Sequence, residues 1–337
     1  MSALLHRALL ALMISLSWTS ARASQWRILA QFDDAPEGLV ADADGNLFVS
    51  LFHSGRIMRV TGDGRVSKVA DLRDVIGDAK GSTVGIDWDR KDHLYVAFSQ
   101  YSERYPWPAK AELAAEACGD ATVTKSGLYR VTITTGKVEA IVTRADGYPF
   151  CFPDDPVYAP DGTIFLSDLS LQAIWKIDPE QKAARIWSKD RLFSPGDRSL
   201  SGYPVGVNGI ALARDGKALF GVTGGIPMLV RVPILDDGRA GKAQMLAFGY
   251  DNMDGLEVDR SGNFYLTETT RSEIWKVSAD ASKRQQLGNP LEAPLGAPAS
   301  IALVNDELCV TNLNFFKNLP PAKANSIVCR KLDTSLW

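Results

Sequence analysis

The chain has 337 residues, of which 45% are hydrophobic, 23% charged and 9% aromatic, the composition of an ordinary globular protein rather than of a disordered or collagenous one. Twenty-eight Gly and 17 Pro beside 13 Phe, 9 Tyr and 8 Trp favour many short elements joined by tight turns over a helical bundle. With 37 basic against 40 acidic residues the net charge is −3 and no basic run of five or more occurs, which argues against a nucleic-acid partner.

At the N-terminus, His6 and Arg7 precede an apolar run at residues 8–18, and the small residues Ala21 and Ala23 stand where a signal peptidase inspects the chain. Residues 1–23 therefore read as a signal peptide and 24–337 as one mature domain. The run is 11 residues, well short of the ~20 that cross a bilayer, so no membrane span is expected. Loss of Arg7 and Arg22 leaves 35 bases against 40 acids, a net −5. Export to the periplasm or beyond lets the four cysteines pair. Cys118 lies in an insertion shortly before Cys151, and Cys309 and Cys329 lie near the C-terminus, which favours 118 with 151 and 309 with 329 among three connectivities; four buried thiols are the alternative.

One unit recurs six times. Residues 37–50 (EGLVADADGNLFVS) are echoed at 84–97, 155–167, 208–221, 254–267 and, more loosely, 299–311. Each copy is a short apolar strand, a turn such as Asp44-Gly45 or Asp161-Gly162, and a second alternating strand. A third strand follows at residues 55–60, 127–131, 173–177, 228–232 and 273–277, and a fourth often follows that. Four strands per unit make a propeller blade, so the predicted fold is all-β, a six-bladed β-propeller. Equivalent positions Gly38, Gly85, Asp155, Gly209, Gly255 and Ser300 are 47, 70, 54, 46 and 45 residues apart, and the long interval holds an insertion at residues 100–125. Residues 25–31 form an apolar strand without a blade, predicted to be the outer strand of blade six and to close the ring.

First strands of a propeller line its channel, so the residue before each equivalent position is aimed at the axis. These are Glu37, Val84, Asp154, Asn208, Asp254 and Ala299. Taken singly, each polar one has an ordinary reading: a capped turn at Glu37, Asn-Gly and Asp-Gly turns at 208 and 254. Turn formers scatter over a repeat, however, and these share one phase. Three carboxylates and an amide aimed at one point suit a hard cation, Ca²⁺ before Zn²⁺, Mn²⁺ or Mg²⁺. The mature chain has only His53 and His93, both off that phase, which disfavours a transition-metal site, and without Gly-x-Ser-x-Gly a serine hydrolase is not expected. Tyr101, Tyr105, Trp107 and a helical stretch at 109–117 read as a lid tied by Cys118 to Cys151 beside Phe152, or else as a surface excursion. Tyr105, Trp107, Phe152 and Asp154 are thus the candidate substrate contacts.

Pro36-Glu37-Gly38, Asn208-Gly209-Ile210 and Asp254-Gly255-Leu256 resemble the openings of blades one, four and five in the gluconolactonase, regucalcin and luciferin-regenerating-enzyme family of six-bladed propellers. The resemblance spans residues 36–330. It implies that Glu37, Asn208 and Asp254 hold one divalent cation, commonly calcium, and that Asp254 is the general base of lactone hydrolysis. Where members carry Asn-Asp at the start of blade three this chain has Asp154-Asp155, and Phe152 stands where sugar-lactone hydrolases often have Arg. An apolar face there favours a less polar substrate than a sugar acid. The expected activity is exported, metal-dependent hydrolysis of a lactone or related ester by a monomer. The alternatives are a non-catalytic binding propeller with structural Ca²⁺, and a strictosidine-synthase-like or paraoxonase-like enzyme for bulkier apolar substrates.

Overall fold

The computed structural model describes residues 26–105, 117–145, 147–194, 205–315, 317 and 319–333. Residues 1–23, the expected signal peptide, lie outside them. Six four-stranded antiparallel sheets are arranged as the blades of a propeller. The inner strands are Pro36–Ala41, Gly81–Trp88, Pro153–Tyr158, Val207–Leu212, Met253–Val258 and Pro298–Val304. Each touches the inner strands of both neighbouring blades, blade six with blade one included, so the ring is closed.

Burial grades outward from the axis, as stacked blades require. The second strands Leu47–Leu51, Ile164–Asp168 and Phe264–Glu268 are buried at every position, because a neighbouring blade covers each face. Outermost strands such as Val66–Asp71 and Gln244–Phe248 are largely exposed. Between blades the apolar faces interlock, Trp175 and Phe150 in the cluster shared by blades two and three being an example. The helices among the described strands and loops are short, one turn at Arg73–Ile76 and a 3₁₀ turn at Arg191–Phe193. No described helix is long and apolar enough to cross a membrane.

Closure follows the prediction. Arg27–Gln31 pairs antiparallel with Ser326–Lys331 as the outer strand of blade six, with Ile28 opposite Val328 and Ala30 opposite Ile327. Trp26 and Ala30 are buried there, and Arg27 reaches Glu307 at 2.6 Å. Deleting residues 26–31 should therefore remove cooperative unfolding by near-UV circular dichroism, a far larger loss than the ~1 kcal/mol of an average substitution, because it opens a sheet edge and the ring at once. A truncated chain that melts within a few degrees of the intact one would show the closure to be dispensable.

Every inner strand carries a β-bulge at the same place. The register slips between Pro36 and Leu39, Thr83 and Ile86, Pro153 and Pro156, Val207 and Ile210, Met253 and Leu256, and Pro298 and Ile301. A bulge leaves an extra residue unpaired and re-aims its side chain. The bulged pairs are thus Glu37-Gly38, Val84-Gly85, Asp154-Asp155, Asn208-Gly209, Asp254-Gly255 and Ala299-Ser300. Asn-Gly and Asp-Gly here are not turns. The glycines are needed because neighbouring inner strands nearly touch: a Cβ on Gly38 would lie 2.6 Å from the Val84 carbonyl oxygen of the next blade, and one on Gly85 2.5 Å from that of Asp154.

A hydroxyl from the second strand clamps most of these bulges. Ser50 accepts from the Gly38 N–H at 2.8 Å and donates to the Val84 carbonyl of blade two at 2.6 Å. Thr267 accepts from Gly255 at 2.7 Å and donates to Ala299 of blade six at 2.6 Å. Thr311 accepts from Ser300 at 3.0 Å and donates to Glu37 of blade one at 2.6 Å, while Ser167 accepts from Asp155 at 2.9 Å. The clamp fixes the backbone on which the axial side chains stand.

Both expected disulfides are formed. Cys309 and Cys329 face each other across neighbouring strands of blade six, their Cα atoms 4.1 Å apart, and Cys118 joins Cys151 with Cα atoms 4.7 Å apart. Peptide mapping without reductant should recover these two pairs alone. Replacing Cys309 and Cys329 together by Ser should lower stability by about 3 kcal/mol, the loop-closure value for a 20-residue separation; an unchanged denaturant midpoint would refute the assignment.

Candidate functional site

The six inner strands run in one direction, so the first residues of their bulges form a tier near the end of the channel where these strands begin. On that tier a carboxylate oxygen from each of Glu37, Asp154 and Asp254 lies within 4.8 Å of the others. Asn208 stands beside them: its amide donates to Asp254 and, at 3.5 Å, to the Met253 carbonyl. Glu37, Asp154 and Asn208 are 4%, 5% and 6% exposed, while Asp254 is only partly buried, so Asp254 is the carboxylate with most access to solvent.

Burial raises the proton affinity of all three acids, because a charge is poorly solvated there and the others repel it. Glu37 is held well above the usual carboxylate range by desolvation and then by Asp154, Asp254 and Asp155. Asp154 is held well above it by desolvation and then by Asp254, Asp155 and Asp168. Asp254 is pushed up to about 7 by desolvation, against the opposing hydrogen bond from Asn208.

Two oxygens at this point have no hydrogen-bond partner although they are sealed from solvent: Glu37 Oε2 and Asn208 Oδ1. Buried acceptors without partners are uncommon and costly. With three converging carboxylates, they fit an oxygen-coordinated divalent cation, held by Glu37, Asp154, Asn208 and Asp254. Among the described residues one other close trio of ligating side chains exists, Glu307 with Cys309 and Cys329, but its sulfurs are spent in a disulfide.

The loops leading to this tier are anchored by polar residues at the ends of the second strands. Asp168, opposite Pro153 in register, accepts from the backbone N–H groups of Phe152 at 2.8 Å, Cys151 at 2.9 Å and Leu171 at 3.0 Å, and from the Trp175 indole at 3.3 Å. Glu268 accepts from Asp251 at 2.9 Å in blade five, and Asn312 from Gly296 at 3.0 Å in blade six. None of these was singled out from sequence, although each ends a recognisable second strand.

The candidate substrate contacts divide. Asp154 is in the tier. Phe152 is half-buried and packs against the cluster of blades two and three that contains Phe150 and Trp175. Tyr105 is half-buried with its N–H on Ser102 Oγ, 3.1 Å away, at the base of the insertion. Trp107 and residues 109–116 lie outside the described residues. Tyr101 ties the base of the insertion to blade two through its hydroxyl on Ser82 and its N–H on the Lys80 carbonyl at 2.8 Å, and burial pushes its phenol up to about 12. His93 pairs with Asp89 at 2.9 Å on the opposite face, and His53 is exposed.

Below the tier the channel widens into a cavity of about 440 Å³ lined by Asp87, Asp155 and Glu257. These acids are engaged by the backbone. Asp155 accepts from Ile210 at 2.8 Å, Asp87 from Tyr158 at 2.6 Å and Glu257 from Val258 at 2.9 Å. Asp155, adjacent to Asp154 in sequence, therefore braces blade four instead of joining the trio.

Fold and site together define a six-bladed β-propeller with a buried, oxygen-rich tier on its axis. A family profile described as strictosidine synthase-like, N-terminal, matches residues 24–60. No curated protein sequence matches the chain. Among solved structures, a gluconolactonase from Xanthomonas campestris is similar at 15% identity over 92% of this chain and 90% of that one, with a TM-score of 0.63. Regucalcin from Agrobacterium tumefaciens, a calcium-binding protein, is similar at 15% identity over 91% and 93%, TM-score 0.61. An aldose sugar dehydrogenase from Streptomyces coelicolor, solved with PQQ bound, reaches 16% identity over 92% and 98%, TM-score 0.61. Such likenesses establish the fold, and the presence of a dehydrogenase among them shows that the fold alone does not select a chemistry.

Proposed function

We propose that the protein is an exported, divalent-cation-dependent hydrolase of a lactone or related ester. The observation that carries this reading is the pair of sealed, unpartnered oxygens Glu37 Oε2 and Asn208 Oδ1 beside the carboxylates of Asp154 and Asp254. Export rests on the signal-like residues 1–23, and the hydrolase reading is supported by the gluconolactonase among the structural neighbours. When bound, Ca²⁺ or a similar cation supplies Lewis acidity toward a substrate carbonyl and stabilises developing negative charge on its oxygen.

The chain's own residues supply the rest. Asp254 takes the proton from the attacking water, being the tier's most accessible carboxylate. The Asn208 amide orients the Asp254 carboxylate. Glu37 and Asp154, almost fully buried, stay in place as charge partners, held by bulges that Thr311 and Ser167 clamp. Tyr101 and the Cys118–Cys151 bridge hold the insertion to the same end of the channel.

A second reading is favoured by Asp154 itself. A third carboxylate tightens cation binding and dulls Lewis acidity, which suits a binding propeller with a structural ion. Metal analysis of the purified mature protein, followed by a panel of lactones and aryl esters, separates the two. One cation per chain with hydrolysis supports the enzyme; one cation with no hydrolysis of any ester moves the assignment to a binder; a chain that takes up no divalent cation overturns both.

A further inference from the structure

A further sealed oxygen without a hydrogen-bond partner, Glu268 Oε2, ends the second strand of blade five. Glu268 is 1% exposed, and its other oxygen accepts from the Asp251 N–H at 2.9 Å. Directly opposite in register stands Glu273, the first residue of the third strand Glu273–Val277. Side chains so paired share one face of the sheet, where like charges repel. Glu273 is half-buried, and its Oε2 accepts from the Trp275 indole at 3.2 Å. The nearby cations are engaged elsewhere: Arg271 pairs with Asp251 at 3.2 Å, and Arg284 lies over the Tyr250 and Trp275 rings. Blade four adds only the apolar Phe220, Val222 and Leu229 to the cluster that contains Leu266 and Trp275.

Asp168, at the same strand end in blade three, shows what a buried carboxylate needs: three backbone N–H groups and an indole supply both its oxygens. Glu268 has one N–H and a second acid for a neighbour. A proton held between the two carboxyl groups removes the repulsion and gives the sealed oxygen a hydrogen bond, the state that close carboxylate pairs adopt. A divalent cation would need more oxygens than this pair offers. Among the described residues no third acid converges here, the close ligating trios being the axial one and the one at the Cys309–Cys329 disulfide.

We infer that Glu268 is kept as a neutral carboxylic acid in the fold, its hydroxyl donating to Glu273, and that this pair is a positioning element for Asp254. Burial foremost, with Glu273 adding to it, pushes Glu268 up to about 7, against the opposing pull of the Asp251 N–H and Arg271. The approach to Asp254 is fixed on this strand end. Glu268 holds Asp251, Thr269 donates its N–H and its hydroxyl to the Asn252 carbonyl at 3.0 Å each, and Met253 lies opposite Glu268 in register. Two ionised glutamates would push the ends of the second and third strands apart and carry residues 251–253 with them. The positioning role rests on the hydrolase reading; the shared proton does not.

Glu268→Gln tests this on the Ca²⁺-saturated protein, since the amide keeps an oxygen for the Asp251 N–H and offers Glu273 an N–H that no pH removes. The ratio of variant to wild-type kcat on the best ester should rise from near one at pH 6 to severalfold at pH 9, with KM little changed, because only the wild-type pair ionises. Glu273→Gln, at the half-buried partner, should give the same rise. A ratio flat in pH for both variants overturns the positioning role. Melting temperatures read the proton without any substrate. Between the ordinary value of 4.5 and about 7 the folded wild type keeps a proton that its unfolded chain has released, so its stability falls with pH, and Glu268→Gln lacks that fall. The melting temperature of Glu268→Gln relative to wild type should therefore climb by about 3 °C or more from pH 5 to pH 8. A difference independent of pH, or the loss of one Ca²⁺ per chain in Glu268→Gln, overturns the neutral acid. If no ester is hydrolysed, the hydrolase reading fails on its own account and the melting comparison alone decides the pair.

Discussion

Asp254→Asn is expected to keep the cation and lose the reaction. Asn retains an oxygen that can ligate and nearly the same volume, but its amide cannot accept a proton from water. The neighbouring Asn208 amide, which donates to Asp254 in the wild type, still finds an oxygen on the Asn side chain. Metal stoichiometry should therefore stay near the wild-type value, with affinity reduced because one negative charge is gone, while kcat on the best ester falls by about 10²–10⁴-fold, the span typical of a removed general base. KM should move little, since the loss is confined to the transition state. Glu37→Gln makes the contrast: its carboxylate is buried at 4% exposure, so the expected deficit is in cation retention, recoverable at high cation concentration. If Asp254→Asn turned over substrate at near the wild-type rate once saturated with cation, Asp254 would be a ligand only.

The blade repeat and the shared phase of Glu37, Asp154, Asn208 and Asp254 were legible in the sequence because both are written in strict spacing. The outer-strand role of residues 27–31 was legible for a different reason, an apolar strand left over once six units were counted. What spacing did not convey was why these residues point inward. The bulge at each inner strand is a backbone event set by the partner strand's register, and Asp254-Gly255 read alone is indistinguishable from a turn. One signal was available: Ser50, Ser167, Thr267 and Thr311 also share a phase, twelve or eleven residues after the bulge they clamp. Asp155 illustrates the limit. It shares a bulge with Asp154, where strand alternation is interrupted, and only the fold shows that its carboxylate goes to the Ile210 N–H of blade four.

Without cation, the protein should lose stability steeply as pH rises from 5 to 8; with millimolar Ca²⁺ the fall should be shallower. The sign follows from the direction of the shifts. Asp254 holds its proton to about 7 in the fold against 3.8 for an ordinary Asp, and Glu37 and Asp154 are also raised. Below the ordinary value both folded and unfolded chains are protonated and there is no penalty. Above it the unfolded chain has released protons that the folded one retains, so stability falls by about 1.4 kcal/mol per pH unit for each such group until the folded value is passed. Asp155, Asp87 and Glu257 are raised by burial as well and add a fall that no axial cation relieves. The diagnostic quantity is therefore the gap between the melting curves in chelator and in Ca²⁺. Binding requires the carboxylates ionised and so releases protons, which makes its stabilisation grow with pH. At 100 times the dissociation constant it amounts to about 2.7 kcal/mol. The gap should be near zero at pH 5 and reach about 5 °C or more by pH 8. A gap independent of pH would place the cation away from these three acids, and Asp154→Asn, which removes one repulsive charge, should flatten the chelator curve toward the Ca²⁺ one.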